Sequence, residues 1–145
     1  MMGATSLTIL NVSADASERE ALTRALGEAG FDVWETASAD EALRLAAQAP
    51  DLILLDLASP RMPMFEVCCR LKETAATAMI PVLYLGHASA ADKLSARTVR
   101  ANLADRYLDR PIRPPEVVEA ARGLLRRTQQ SEPLGQQFFE TAPDA

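Results

Sequence analysis

The amino-acid sequence predicts an α/β fold built on a parallel sheet that carries helices on both faces. Short apolar segments of strand type alternate with helix-periodic segments five times along the chain. One strand segment, residues 51–56, is apolar almost throughout, which is typical of a strand buried on both faces of a parallel sheet. Because a helix separates each strand from the next, the pattern indicates consecutive βαβ units.

Five segments have the alternating or continuously apolar pattern of strands. Proline stands at the beginning of the fourth segment, as Pro81, where a strand tolerates it. The predicted strands are residues 7–12, 31–35, 51–56, 80–85 and 105–109. Their carboxyl ends are expected at one edge of the sheet, where α/β folds of this kind place functional residues.

Helical periodicity, with apolar residues spaced by three and four, follows each strand. Two helices are expected to begin at a Ser that is followed three positions later by Glu, at Ser17 and Ser38, which is the spacing of a capping box. Gly30 is placed to end the first helix in the left-handed conformation. The remaining helices are predicted near residues 65–71, near residues 89–101, and from residue 114 to beyond residue 125.

The segment from residue 128 to residue 145 differs from the rest of the chain. It is rich in Gln, Pro and acidic residues and lacks helical periodicity. We therefore predict one domain over residues 1–127, followed by a largely disordered tail or linker. Leu134, Phe138 and Phe139 interrupt this tail. They are interpreted as part of a linker, as a strip that packs on the domain, or as a short partner-binding motif.

Composition excludes several classes of protein. The net charge of −5 argues against nucleic-acid binding. No apolar run approaches the roughly 20 residues of a membrane helix. The chain also lacks a signal-peptide pattern at its start, so we expect a cytoplasmic protein that does not bind membranes. Cys68 and Cys69 are adjacent and offer no disulfide framework; inward packing of Cys68 is favoured over a redox sensor.

The charge is distributed unevenly along the chain. Residues 1–60 carry ten acidic and three basic side chains, whereas residues 61–145 carry ten acidic and twelve basic ones. The excess of basic residues is concentrated in residues 89–128. Solvated helix faces explain such a pattern, and a partner-docking surface is the sharper interpretation.

Four residues follow predicted strands at the functional edge of the sheet: Ser13, Asp56, Gly86 and Arg110. Asp56 is the only acid among them, and an acid at the mouth of a buried strand either performs chemistry or is neutralised in place. The lone histidine, His87, has no Cys or His cluster beside it, so a metal role is not indicated. The chain has no Gly-rich phosphate loop and no nucleophile elbow, and we do not expect an enzyme.

Three segments, taken in their order and spacing, resemble the receiver domain of bacterial response regulators. They are PDLILLDLASPRMPMFEVCCRLK, IPVLYLG and ADRYLDRPI, and the resemblance extends from residue 7 to about residue 127. It implies a flavodoxin-like, doubly wound five-stranded sheet with strand order 2-1-3-4-5. It also implies a role in two-component signal transduction and phosphorelay.

The resemblance assigns roles to the positions that match the family's motifs. Asp56 matches the acid that accepts a phosphoryl group from a histidine kinase. Ser13 and Ala14 match the pair of acids that holds Mg²⁺, and Asp15 lies one position further along. Because Mg²⁺ prefers anionic oxygen ligands, we expect no cofactor. Mg²⁺ would bind only if Asp15 and water served it.

The remaining matched positions also depart from the family pattern. Gly86 matches the Thr or Ser that bonds the phosphoryl oxygen, and His87 matches the small residue that follows it. Arg110, before a proline, matches the Lys that pairs with the phosphoryl group, while Tyr107 matches the aromatic residue that moves on activation. We therefore expect a degenerate, atypical receiver, or pseudo-receiver, in which Arg110 pairs with Asp56 and closes the site.

The favoured hypothesis is a signalling module that acts by phosphorylation-independent contact with a protein partner: a histidine kinase, an output domain, another signalling protein or a second copy. The candidate partner surface comprises Lys93, Arg97, Arg100, Tyr107, Arg122 and Arg126. Two alternatives stay open. One is a working response regulator phosphorylated on Asp56, and the other is a small-ligand binder on the same fold.

Overall fold

The computed structural model describes residues 6–57, 64–86 and 105–141. Its sheet has five parallel strands in the order β2-β1-β3-β4-β5, so the predicted fold class and strand order are confirmed. The strands are β1 (Thr8–Val12), β2 (Asp32–Thr36), β3 (Leu52–Asp56), β4 (Val82–Gly86) and β5 (Arg106–Asp109). Each lies within about two residues of its predicted span.

In the described ranges, four helices connect or follow these strands. They are α1 (Ala16–Glu28), α2 (Ala39–Ala46), α3 (Met64–Glu73) and the C-terminal helix (Pro114–Thr141). The helix predicted near residues 89–101 falls outside the described residues. No helix in the described ranges has the length and apolar character needed to cross a bilayer.

The beginning of α1 differs from the prediction. Its N-cap is Asp15, whose Oδ1 accepts a hydrogen bond from the backbone N–H of Glu18 at 3.0 Å, so the expected capping box at Ser17 is wrong. Asp caps a helix as well as Ser does, and the helix starts as soon as the chain leaves β1. The cap of α2 is Ser38, as predicted, and Gly30 has the predicted positive φ of 103°.

The core consists of two clusters, one on each face of the sheet. In β3, Ile53 and Leu55 pack on the face covered by α2 and α3, whereas Leu52 and Leu54 pack on the face covered by α1 and the C-terminal helix. All five residues of β3 are buried. The strand is therefore central, as its continuous apolar pattern predicted, and its carboxyl end opens at the edge of the sheet between two covered faces.

The C-terminal helix is longer than expected. We predicted disorder from residue 128 onward because the segment lacks apolar periodicity, but the helix backbone continues to Thr141. Apolar periodicity reports packing against a core. Gln, Glu and Leu in this segment have good helix propensity, Pro133 and Gly135 oppose it, and a helix that is already nucleated extends more readily than a new one forms. The division of the chain at residue 127 into domain and tail stays a prediction.

Candidate functional site at the carboxyl ends of the strands

Asp56 lies at the carboxyl end of β3 and is 5% exposed. Its Oδ1 is 3.1 Å from Nη2 of Arg110, and its Oδ2 accepts a hydrogen bond from the Ser13 hydroxyl at 3.3 Å. The carboxyl ends of β1, β3 and β5 thus bring these three residues together, as parallel strands at one sheet edge require. The arrangement neutralises a buried carboxylate with a cation and a neutral donor.

Arg110 follows β5 directly, and its backbone N–H donates to the Gly86 carbonyl at 2.8 Å. Its Nη2 also contacts Oε1 of Glu18 at 2.6 Å, so one nitrogen serves two carboxylates. Burial lowers the pKa of the Arg110 guanidinium, but the hydrogen bond to Glu18 and the charge of Asp56 outweigh burial and leave that pKa raised. The guanidinium is a permanent cation at this site.

Glu18 did not stand out in the sequence. It is the third residue of α1, and its half-buried side chain reaches Arg110 from 92 positions away in the chain. The position of Glu18 in the first turn of the helix that follows β1 could have indicated its role, because that turn lies at the functional edge of the sheet. Assigning the cap to Ser17 hid this signal.

The residues at the family's metal-binding positions are engaged differently. Ala14 has no ligand atom, and Ser13 Oγ donates to Asp56 while accepting a hydrogen bond from the Asp15 backbone at 3.2 Å. The Asp15 carboxylate is exposed and caps α1. Arg19 Nη1 donates to the Ser13 carbonyl at 2.9 Å, which ties down the loop between β1 and α1.

These residues do not fit the divalent metal that the receiver fold implies. Mg²⁺ takes oxygen ligands in near-octahedral geometry and favours several anionic ones. Asp56 already has Arg110 as its cation, and the Asp15 carboxylate accepts a helix N–H instead. Within the described ranges, no group of three or more His, Cys, Asp or Glu side chains could hold a metal ion.

Gly86 and Tyr107 match the family's switch residues, and both lie near Asp109 of β5. Gly86 ends β4 beside Asp109 of β5 and offers no hydroxyl. Tyr107 is half-buried against the core face covered by α2 and α3, and its hydroxyl donates to Asp109 Oδ1 at 3.1 Å. His87, Lys93, Arg97 and Arg100 lie outside the described residues, so their predicted roles stay predictions.

The basic residues of the C-terminal helix point in different directions. Arg126 lines a groove together with Arg106 of β5 and with the acids Glu116 and Glu119. Arg122 instead turns toward α1, where its Nη2 donates to the Ala29 carbonyl at 3.3 Å. The groove beside Arg126 therefore carries basic and acidic side chains together.

A second buried polar cluster lies on the α3 side of the sheet, and the sequence did not indicate it. Lys72 Nζ pairs with Asp105 at 2.8 Å, and the Cys68 thiol donates to the Tyr84 hydroxyl at 3.1 Å. Burial raises the pKa of Cys68 to about 11 and raises that of Tyr84 as well. Cys68 is fully buried, as predicted, while Cys69 is half-buried.

Comparison with known proteins agrees with this architecture. The family model for the response regulator receiver domain matches residues 9–122. A protein named response regulator MprA, from Mycolicibacterium vanbaalenii, is 36% identical over 94% of this chain and 58% of its own length. A protein of the same name from Mycobacterium bovis is 37% identical over 85% of this chain and 52% of its own length. The chain therefore spans about half the length of the curated relatives it matches.

Solved structures lead to the same family. The chemotaxis response regulator CheY4 of Vibrio cholerae superposes with a TM-score of 0.71 at 25% identity, over 83% of this chain and 99% of that one. A putative response regulator from Chloroflexus aurantiacus superposes with a TM-score of 0.69 at 27% identity, over 83% and 98%. By fold, by site position and by sequence, the chain belongs to the response regulator receiver domain family.

Proposed function

We propose that this chain is an atypical receiver module, a pseudo-receiver, whose site is held closed by its own cation and which acts through phosphorylation-independent contact with a protein partner. The observation that carries the proposal is the contact between Asp56 Oδ1 and Arg110 Nη2 at 3.1 Å. In the same pocket, the residues that match the metal-binding pair of the family offer no carboxylate to Mg²⁺. With a cation of its own beside Asp56, the module needs neither metal nor phosphate to hold one conformation.

Two further features support this proposal. Phosphoryl transfer depends on positioning and on cations that neutralise developing charge, and the missing acid pair weakens both. Gly86 has no hydroxyl to bond a phosphoryl oxygen, and the Tyr107 hydroxyl donates to Asp109. A phosphoryl group on Asp56 would therefore find no hydroxyl at position 86 through which to act on Tyr107.

Receiver domains interact with histidine kinases and with output domains, and we propose a partner of this kind or a second copy of the chain. The proposed contact surface is the region that includes Tyr107 and Arg126, where basic and acidic side chains lie together, with the candidate residues outside the described ranges. A cytoplasmic location and the absence of nucleic-acid and membrane partners stay predictions from the sequence.

A second function has a specific observation in its favour. Asp56 stands at the end of β3, where the family's phosphoryl acceptor stands, and the relatives at 36–37% identity are named response regulators. On this alternative, the Asp56 carboxylate takes a phosphoryl group from the phosphohistidine of a kinase or from a small phosphodonor, whose bond to phosphorus breaks, and Arg110 then contacts the phosphoryl oxygens. The small-ligand alternative has no such observation.

Exposure to a small phosphodonor separates the two functions. The protein is incubated with acetyl phosphate and Mg²⁺, and its intact mass is measured at intervals, with Asp56→Ala as the control for the site. The proposal predicts that neither protein gains the mass of a phosphoryl group. Incorporation of one phosphoryl group by the wild-type chain, absent from Asp56→Ala, would establish the alternative.

A further inference from the structure

We infer that Glu18 is a positioning residue that holds the Arg110 guanidinium against Asp56, so that this guanidinium supplies the positive charge that a divalent cation supplies elsewhere in the family. The inference deepens the proposed function and rests on it in one respect, namely that the pocket functions without metal. It assigns a role to a residue that the family pattern does not single out.

The geometry places one nitrogen between two acids. Arg110 Nη2 lies 2.6 Å from Glu18 Oε1 and 3.1 Å from Asp56 Oδ1. Both contacts join the cation to a carboxylate, and the contact with Glu18 is the shorter of the two. Nη1 of the same guanidinium is buried without a hydrogen-bond partner in the described part of the chain. The orientation of the guanidinium therefore depends on Nη2 and on the two carboxylates that flank it.

The position of Glu18 is itself fixed. Its backbone N–H donates to the Asp15 carboxylate at the beginning of α1, so the helical turn that carries the Glu18 side chain is anchored. A carboxylate near a helix N-terminus is also favoured by the helix dipole. The resulting chain of contacts runs from the cap of α1 through Glu18 and Arg110 to Asp56 at the end of β3.

Burial strengthens this chain of contacts. The side chains of Arg110, Glu18 and Asp56 are 17%, 31% and 6% exposed, so solvent screens their charges less than it screens a surface pair. An arginine with a flexible stem and a single acidic partner would be free to swing into solvent. Two acids, one in β3 and one in α1, restrict it to the space between them.

The first test observes the guanidinium directly. Nitrogen-15 NMR of the arginine side chains reports rotation of the guanidinium, which is slow when its Nη atoms are held and fast when they are free. We expect separate Nη resonances for Arg110 in the wild-type chain and rotation faster by at least about tenfold in Glu18→Gln, since a charge-assisted bond becomes a neutral one. Arg110→Lys identifies the resonances.

The matched control is Glu20→Gln, which makes the same chemical change at an exposed position of the same helix. It should leave the Arg110 resonances unchanged. Fast rotation in the wild-type chain, or equal rotation in wild type and Glu18→Gln, would overturn the role of Glu18.

The second test uses Mn²⁺ as the probe. Arg110→Met removes the cation and leaves the carboxylates of Glu18 and Asp56 facing the same space, where their repulsion favours a divalent ion. We expect Mn²⁺ to bind this variant at least about tenfold more tightly than the wild-type chain, measured by paramagnetic broadening of amide signals near Asp56. Adding Glu18→Gln should abolish the gain. Equal affinity in wild type and Arg110→Met, or a gain that persists without Glu18, would contradict the inference.

Failure of this inference and failure of the proposed function give different results. Arg110 resonances that are held equally in wild type and Glu18→Gln, with no phosphoryl incorporation, would remove the role of Glu18 and leave the closed, metal-independent module standing. Arg110 resonances that are held in wild type and freed in Glu18→Gln, together with phosphorylation of Asp56, would remove the proposed function and keep the role of Glu18.

Discussion

Arg110 Nη2 lies 3.1 Å from Asp56 Oδ1 and so provides a buried acid at the end of β3 with a cation from the same chain. In a receiver site with several crowded carboxylates, each acid raises the energy of the others until a metal binds. Here the acid faces a cation that cannot dissociate from the protein and that remains protonated at any physiological pH. The ion pair between Asp56 and Arg110 is therefore the contact on which the proposed function depends.

Replacing Asp56 should destabilise the protein. In Asp56→Ala, Arg110 keeps Glu18 but loses one of its two partners, and the Ser13 hydroxyl loses its acceptor. Loss of partners for buried polar groups costs about 1–3 kcal/mol, so we expect the free energy of unfolding to fall by that amount in urea titrations. Glu20→Ala is the surface control. A gain in stability would mean that Asp56 suffers net repulsion, contrary to the closed pair.

Asp15 should behave as a helix cap and not as a metal ligand. We expect Asp15→Ala to lower the free energy of unfolding by about 1 kcal/mol, whereas Asp15→Asn, which keeps an oxygen for the Glu18 N–H, should be close to neutral. Amide spectra of Asp15→Asn and wild type, recorded with increasing Mg²⁺, should match. A Mg²⁺ response present in wild type and lost in Asp15→Asn would give the carboxylate a metal-binding role.

The buried pair between Lys72 and Asp105 should matter far more than an exposed pair on the same helix. Lys72→Met leaves the Asp105 carboxylate, 1% exposed, without its cation, which costs about 3–5 kcal/mol. Arg70→Met breaks the exposed pair with Glu66 and should cost less than about 1 kcal/mol. Chemical unfolding of both variants gives the comparison. Equal losses would mean that the buried pair is hydrated in solution.

Stability should fall in alkaline solution because of Cys68 and Tyr84. Burial raises the pKa of the Cys68 thiol from 9.0 to about 11, so the unfolded chain loses this proton first as the pH rises. The contribution of Cys68 is complete below pH 9.0 and is lost between pH 9.0 and about 11, at most roughly 3 kcal/mol. Burial raises the pKa of Tyr84 too and acts in the same direction.

Urea unfolding at a series of pH values from 8 to 11 measures this effect. The control is the double variant Cys68→Ala/Tyr84→Phe, which keeps the apolar packing and removes both titrating groups. Its stability should decline less steeply over the same range. Parallel decline of the two proteins would assign the alkaline loss to other groups.

The sheet could be predicted from the sequence because each strand is indicated by a pattern among neighbouring residues. The continuous apolar run of β3 and the alternation of strands with helices are determined by burial, and burial leaves a pattern in neighbouring residues. The positions of Ser13, Asp56 and Arg110 followed from the same logic, since parallel strands end at one edge. The extent of the C-terminal helix did not follow, because apolar periodicity is silent about a helix that continues beyond its packed turns.

Long-range side-chain contacts were not accessible in this way. Glu18 and Arg110 are 92 positions apart, and neither residue type nor spacing links them. The same holds for Lys72 and Asp105, which look like ordinary surface charges in the sequence but are buried together beside Tyr84. Because Asp15 and not Ser17 caps α1, Glu18 stands in the first turn of the helix and faces the site.

The most direct measurement is a nitrogen-15 NMR titration of the protein with Mg²⁺ and then with beryllofluoride, a mimic of the phosphoryl group, with Asp56→Ala as control. A site closed by Arg110 predicts amide signals around Asp56 and Tyr107 that stay in place at millimolar Mg²⁺ and after addition of the mimic. Shifts at both residues that are absent from Asp56→Ala would show a working phosphorylation switch and contradict the closed site.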